Sequence, residues 1–241
     1  MKIRSILPVA ALTAVLVVML IFSREFEIFM YDIFDTKTQT GSRTPLLVLF
    51  TQHLNMVVIS GIIAVALGLA LGIFISSGYG REYRDAFEEI ISLGQAFPSA
   101  ALLALVVPVV GYGSEGALIA LVIYALMPIV YNTYAGLTGV DPDCIEAARG
   151  MGMEDRRIFT KIRLPLAANV ILAGIRTSLV INISAATLAA AVGAGGLGVL
   201  VVNGVKAFDP VLILEGAIPV SLMAVIADLV MKEIEKKLSY N

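Results

Sequence analysis

Cysteine, histidine, tryptophan and charge are all scarce in this sequence. A single cysteine, Cys144, excludes an intrachain disulfide and a four-cysteine metal site. A single histidine, His53, leaves too little for a histidine-rich metal centre or for a triad drawn from several histidines. Tryptophan is absent. Charged residues make up 15% of the 241, where a soluble domain carries about 25%. No Gly-Lys dipeptide occurs either, since the seven lysines follow Met, Thr, Thr, Val, Met, Glu and Lys. A P-loop needs Gly-Lys before its Ser or Thr, so this chain cannot cradle nucleotide phosphates in that way.

What the chain has in place of charge is apolar length, with 59% of its residues hydrophobic. A helical membrane span takes roughly 20 apolar residues. Six stretches qualify: 6–22, 54–77, 90–113, 117–137, 166–192 and 211–231. The first is read as a retained anchor, because Ser23-Arg24-Glu25-Phe26-Glu27 offers no small-x-small cleavage site. Helices are the expected spanning form, since lipid gives an open sheet edge no partner.

The basic residues orient the spans. With the N-terminus inside, the inner segments hold Lys2, Arg4, Arg81, Arg84, Arg149, Arg156, Arg157, Lys161, Arg163, Lys232, Lys236 and Lys237. The outer segments hold only Arg24, Lys37, Arg43 and Lys206. The bias of twelve to four predicts an all-α membrane protein of six transmembrane helices with both termini cytoplasmic. Residues 1–53 form an anchor and external loop, 54–231 the main membrane domain, and 232–241 a cytoplasmic tail. Within the external loop, Glu25–Phe34 reads as an interfacial helix. Charges inside the spans are few. An i,i+4 pair with Lys232 accounts for Asp228. Arg176 is expected to snorkel to the inner headgroups, and Glu215 to lie near water at the outer end of the last span. No chain of acids crosses the membrane, which argues against a proton-coupled carrier.

Gly193-Ala194-Gly195-Gly196-Leu197-Gly198 satisfies the G-x-G-x-x-G pattern of dinucleotide-binding folds. That pattern means something only between a strand and a helix. Here it follows about 25 residues of apolar helix. The glycines are read as the end of the fifth span and a turn at an external gate, with "LGVLVV" packing back as a short segment.

The longest inner segment, 138–170, is patterned rather than passive. Asp141-Pro142 signals a helix start. A short amphipathic helix follows, broken at Gly150 and Gly152, and a second one runs from about Glu154 to Ile162. Leu164-Pro165 is expected to end that helix and start the fifth span.

Within this segment, Glu146-Ala147-Ala148, Gly152, Ile162 and Leu164-Pro165 keep the spacing E-A-A-x3-G-x9-I-x-L-P. The pattern resembles the signature of permease subunits of type I ABC importers, and every fixed position is present. The wording of "FPSAALLALVVPVVGYG", "IEAARGMGM" and "TLAAAVGAGGLG" is most similar to the glycine betaine, carnitine and choline branch of that family. The resemblance implies a MetI-like fold, in which residues 138–165 act as the coupling loop. By the same resemblance the chain is non-catalytic. ATP and Mg are held by a cytoplasmic ATPase dimer, substrate arrives on an extracytoplasmic binding protein, and a second permease chain, identical or related, completes the path. No nucleic acid is implied, and the expected location is the prokaryotic inner membrane.

Polar and aromatic groups within the spans are the candidates for that path: Gln95, Ser99, Tyr124, Asn132, Asn182, Ser184 and Thr187. Interhelical hydrogen bonding recruits the same residue types. Asn182, in the middle of the fifth span, is the first choice. Quaternary ammonium groups are usually held by aromatic cages. With few aromatics in mid-membrane, selectivity is expected to rest largely with the binding protein. A permease for another small solute, such as an amino acid, and an ATP-independent carrier are the competing readings.

Overall fold

The computed structural model describes residues 3–34, 44–77, 80 and 83–239. Every regular element among them is helical. Helix α1 (Ile3–Ile21) bends by 89° into α2 (Ser23–Ile33). The long α3 (Leu46–Ser76) follows, then α4 (Arg84–Ala96) and α5 (Ser99–Val110). Helix α6 (Ser114–Thr138) leads into the short pair α7 (Pro142–Gly150) and α8 (Asp155–Ile158). A π-helical stretch, Phe159–Arg163, joins α8 to α9 (Leu164–Ala186). A 3-10 turn, Leu188–Val192, then α10 (Gly198–Ala207) and α11 (Pro210–Ser239) complete the chain.

Among the described residues, four helical segments are long and apolar enough to cross a membrane: Leu46–Ser76, Ser114–Thr138, Asp155–Ala186 and Pro210–Leu238. The bent α1–α2 pair makes a fifth candidate. The stretch 90–113 is not one spanning helix, contrary to the hydropathy reading. It breaks at Phe97-Pro98, where α4 ends and α5 starts. Proline lacks the N–H that would continue the helix and forces the residue before it into extended backbone. Phe97 accordingly has ψ 125°.

Helix α3 begins eight residues before the expected Leu54. The polar pair Gln52 and His53 belongs inside it because both side chains have internal partners. The fifth span also starts early. Pro165 brings no break: the π-helical turn absorbs its missing N–H, and the Leu164 N–H reaches back five residues to the Phe159 carbonyl.

Inside lipid, apolar burial gives no driving force between helices, so packing depends on close approach by small residues. Helix α6 is the centre of this packing, with α3 on one side and α9 on another. On α3, a Cβ built at Gly68 would stand 2.7 Å from Ile129, and one at Gly72 would stand 2.5 Å from Thr133. On α9, a Cβ at Gly174 would stand 2.5 Å from Asn132. Ser178 Oγ donates to the Ala125 carbonyl at 2.6 Å, closing the α6–α9 contact.

Three charge expectations change. Asp228 pairs with Arg176 on α9 (3.7 Å) rather than with Lys232, and Arg176 Nε also meets Glu235 at 3.2 Å. Asp228 and Glu235 lie seven residues apart and so share one face of α11. Arg176 therefore does not need the headgroups, because it ties α9 to α11. Reversing it, as Arg176→Glu, is expected to destabilise the purified chain by roughly 1–3 kcal/mol, since the pair is only partly buried. A second change, Glu235→Arg, should restore much of that loss in a thermal-shift assay. Glu215 is not near water. It is buried at 4% exposure, and its Oε2 has no hydrogen-bond partner.

Candidate functional site

The coupling segment is built from local signals. The Asp141 carboxylate accepts from the Asp143 N–H at 2.9 Å, and Pro142 fills the first turn of α7. The helix ends where Gly152 takes φ +81°, a conformation that L side chains rarely adopt. There the Gly152 N–H bonds to Arg149 O and the Met153 N–H to Ala148 O. Arg149 reaches across the bend to Asp155 through both Nε (3.3 Å) and Nη2 (3.1 Å), so α7 and α8 are braced as a helix-turn-helix.

The signature residues divide by exposure. Ala148 is fully buried, whereas Glu146, Ala147 and Gly152 are exposed. Glu146 and Arg149 rim an open groove of about 580 Å³ that continues along Asp155, Ile158 and Phe159. A Cβ built at Gly152 would meet nothing within 4 Å, so the chain itself leaves that side of the turn open. Ile162 is half-buried within the π-helical turn, and Leu164 and Pro165 are exposed at the start of α9.

The glycine run lies at the other end of α9. Gly193 caps the 3-10 turn at φ +82°, and Gly195 and Gly196 also have positive φ. The Gly196 N–H donates to Gln52 Oε1 on α3 at 3.0 Å. His53, next to Gln52 and fully buried, places Nε2 3.0 Å from the Ile183 carbonyl of α9. Gly198 starts α10, where any Cβ would collide with the Thr187 carbonyl. The run is thus a helix-to-helix turn held against α3, and α10 packs back on α11.

The proposed path residues are not gathered in one place. Asn182 is fully buried between α9 and α3, where Nδ2 donates to Ser60 Oγ (2.8 Å) and Val57 O (3.4 Å). Ser184 is exposed and bonds back to Val180 O. Ser99 and Thr187 are half-buried at helix ends. The side chain of Gln95 lies outside the described residues.

Tyr124 and Asn132 do come together. They line a cavity of about 290 Å³ with Gly94, Met127, Pro128, Tyr131, Thr177 and Ile181, between α4, α6 and α9. The sequence reading passed over Tyr131 and Thr177. The signal for Tyr131 was present, because it follows Tyr124 by seven residues on one face of α6.

Residues 68–240 match the family model described as the binding-protein-dependent transport system inner membrane component. The carnitine transport permease protein OpuCB of Listeria monocytogenes is 40% identical over 194 residues, covering 80% of this chain and 88% of that protein. The glycine betaine/carnitine/choline transport system permease protein OpuCD of Bacillus subtilis is 40% identical over 191 residues, covering 79% of this chain and 82% of its own length. Among solved structures, the MetNI methionine ABC transporter in an inward-facing conformation superposes with a TM-score of 0.71 at 21% identity. That superposition covers 80% of this chain and 95% of the transporter chain, and it is a likeness of fold.

Proposed function

Because the chain belongs to the family of binding-protein-dependent transport system inner membrane components, we propose that it is the permease of an ATP-driven importer for small quaternary ammonium osmoprotectants. Glycine betaine, choline and carnitine are the cargo class. The observation that carries this reading is the braced helix-turn-helix of α7 and α8, with Glu146 exposed at an open groove and Ala147 exposed on another side of the same short helix. A partner ATPase dimer holds ATP and Mg and docks there, with Gly152 leaving room for its approach. Motion of α7 and α8 passes through the π-helical turn into α9 without a hinge, since the helix is unbroken. The termini are cytoplasmic, and the broken pair α4–α5 serves as one crossing, which with α1 gives six. A second permease chain completes the path, and an external binding protein delivers the cargo.

The turn from Gly193 to Gly198 acts as the external gate, latched to α3 by Gln52. Any side chain at Gly196 would sit at φ +80°, with a Cβ 2.9 Å from Met56 Cε and 3.3 Å from His53 Nδ1. Gly196→Val is therefore expected to slow uptake roughly tenfold or more, from a backbone cost of about 1–2 kcal/mol with overpacking added. Uptake equal to the parent's would count against the gate.

The whole reading is tested in proteoliposomes holding this chain, its ATPase and the binding protein. ATP-dependent uptake of radiolabelled choline or glycine betaine supports it. Uptake of a different solute class, or uptake without ATP, refutes the cargo or the mechanism respectively.

A further inference from the structure

We propose that the cavity between α4, α6 and α9 is a binding station for the quaternary ammonium group, with Tyr124 and Tyr131 as its aromatic walls. This rests on the cargo class proposed above. It places recognition inside the permease, where the scarcity of aromatics had argued for selectivity resting largely with the binding protein.

Three observations converge on this cavity. First, its volume of about 290 Å³ lies at the lower end of the range for small-molecule sites. Second, its lining joins aromatic and soft groups to a few polar ones. Tyr124, Met127 and Tyr131 form one stripe on α6, and Asn132 and Thr177 stand beside it. Seven helical residues separate the two tyrosines by about 10 Å along the axis, so the rings lie at two levels with Met127 between them. Third, the stripe lies across α6 from its most buried face and is only partly packed, Tyr124 against the central core and Met127 against the Ile75–Val130 cluster. Ala125, Ile129 and Thr133 are buried on the opposite face, where Gly68 and Gly72 of α3 press against the latter two. Tyr131 is 48% exposed and Thr177 is also exposed, so the cavity is reached from outside the bundle.

The chemistry fits a trimethylammonium group. Such a cation has no N–H, so it gains nothing from a ring of hydrogen-bond acceptors. It is large and weakly hydrated, and aromatic faces hold it through their quadrupole. The opposite end of the cargo is a hydroxyl or a carboxylate, which the Thr177 hydroxyl and the Asn132 amide can meet. One Nδ2–H of Asn132 goes to the Pro128 carbonyl at 2.8 Å, which leaves its second N–H for a carboxylate and Oδ1 for a hydroxyl. Among the described residues, no ionised side chain lines the cavity. A fixed carboxylate would favour choline but repel the carboxylate of a betaine. A neutral aromatic wall takes both, and holds neither so tightly that it cannot leave.

The test uses the purified permease–ATPase complex without its binding protein, titrated with choline and with glycine betaine by saturation-transfer NMR. The N-methyl protons should receive saturation. The tert-butyl protons of 3,3-dimethylbutan-1-ol, choline's neutral isostere, should receive much less. Tyr131→Phe keeps the ring and should keep the signal. Tyr131→Leu should weaken binding roughly 5- to 30-fold, and Tyr124→Leu should act in the same direction. Equal saturation of the isostere, or Leu variants that bind like the parent, would overturn the station. Transport of the same cargo in proteoliposomes is measured alongside. Saturation without transport would refute the cargo reading and leave the station standing. Transport without saturation would do the reverse.

Discussion

Replacing Ala147 with Trp is expected to abolish ATP-driven uptake while leaving the chain folded in the membrane. Ala147 is exposed on α7, next to Glu146 but on the side of the helix turned away from the groove lining. Its neighbour Ala148 is fully buried, so a Trp there would damage the bundle and report nothing about docking. At Ala147 the bulk projects away from the chain, into the space that the proposed ATPase would enter. Truncating a hot-spot side chain costs an interface roughly 2–4 kcal/mol, about 30- to 1000-fold in affinity, and a tryptophan wedged into the contact is expected to cost at least as much. Glu146→Lys should act in the same direction by reversing the charge at the rim. The measurement is co-purification with the ATPase, followed by uptake. If the Ala147→Trp chain retains its ATPase at the parent level, α7 is not the coupling surface.

A matched pair of glycine substitutions carries the second large effect. Gly174 on α9 and Gly61 on α3 both face other helices. A Cβ at Gly174 would stand 2.5 Å from Asn132 Cβ and 2.9 Å from the Pro128 carbonyl, a backbone atom that cannot swing aside. At Gly61 the nearest atom is Asn182 Nδ2 at 3.9 Å, an ordinary contact. Gly174→Ala should therefore cost roughly 1–3 kcal/mol by overpacking. Gly174→Leu should cost more and prevent recovery of a monodisperse complex. Gly61→Ala should be close to neutral. Melting curves in one detergent decide this, and equal effects at the two sites would contradict the close α6–α9 packing. The same change also bears on the cavity, because Asn132 is the side chain that Gly174 contacts.

Local features were legible in the sequence because they are governed by neighbours in the chain. The Asp141-Pro142 start of α7, its end at Gly150–Gly152 and the left-handed turn at Gly193 follow from capping and backbone rules acting over a few residues. The signature from Glu146 to Pro165 was legible for the same reason. Hydropathy was a blunter guide. It joined α4 and α5 across Pro98 because a window average does not register one missing N–H. It also cut Gln52 and His53 from α3, since their partners lie over a hundred residues away at Gly196 and Ile183.

Tertiary partners were the least legible. Asn182 in mid-span suggested a path residue; its Nδ2 bonds Ser60 and Val57, while its Oδ1 is buried without a hydrogen-bond partner. Asp228 had a plausible partner in Lys232, but α9 brings Arg176 within reach. The cavity was half legible: Tyr124 and Asn132 were named, and the seven-residue step to Tyr131 was there to be counted. Thr177 enters only because α9 crosses α6 at that height. Polarity within a span marks a constraint on the residue, and only the packed fold says whether that constraint is a neighbour or a ligand.

The most direct measurement is uptake by the reconstituted assembly of this chain, the ATPase and the binding protein, with ATP enclosed or withheld. Radiolabelled choline or glycine betaine should accumulate only when ATP, magnesium and the loaded binding protein are all present. The Ala147→Trp chain should give only the background seen without ATP. Accumulation at the same rate without ATP, or undiminished with Ala147→Trp, would contradict the account.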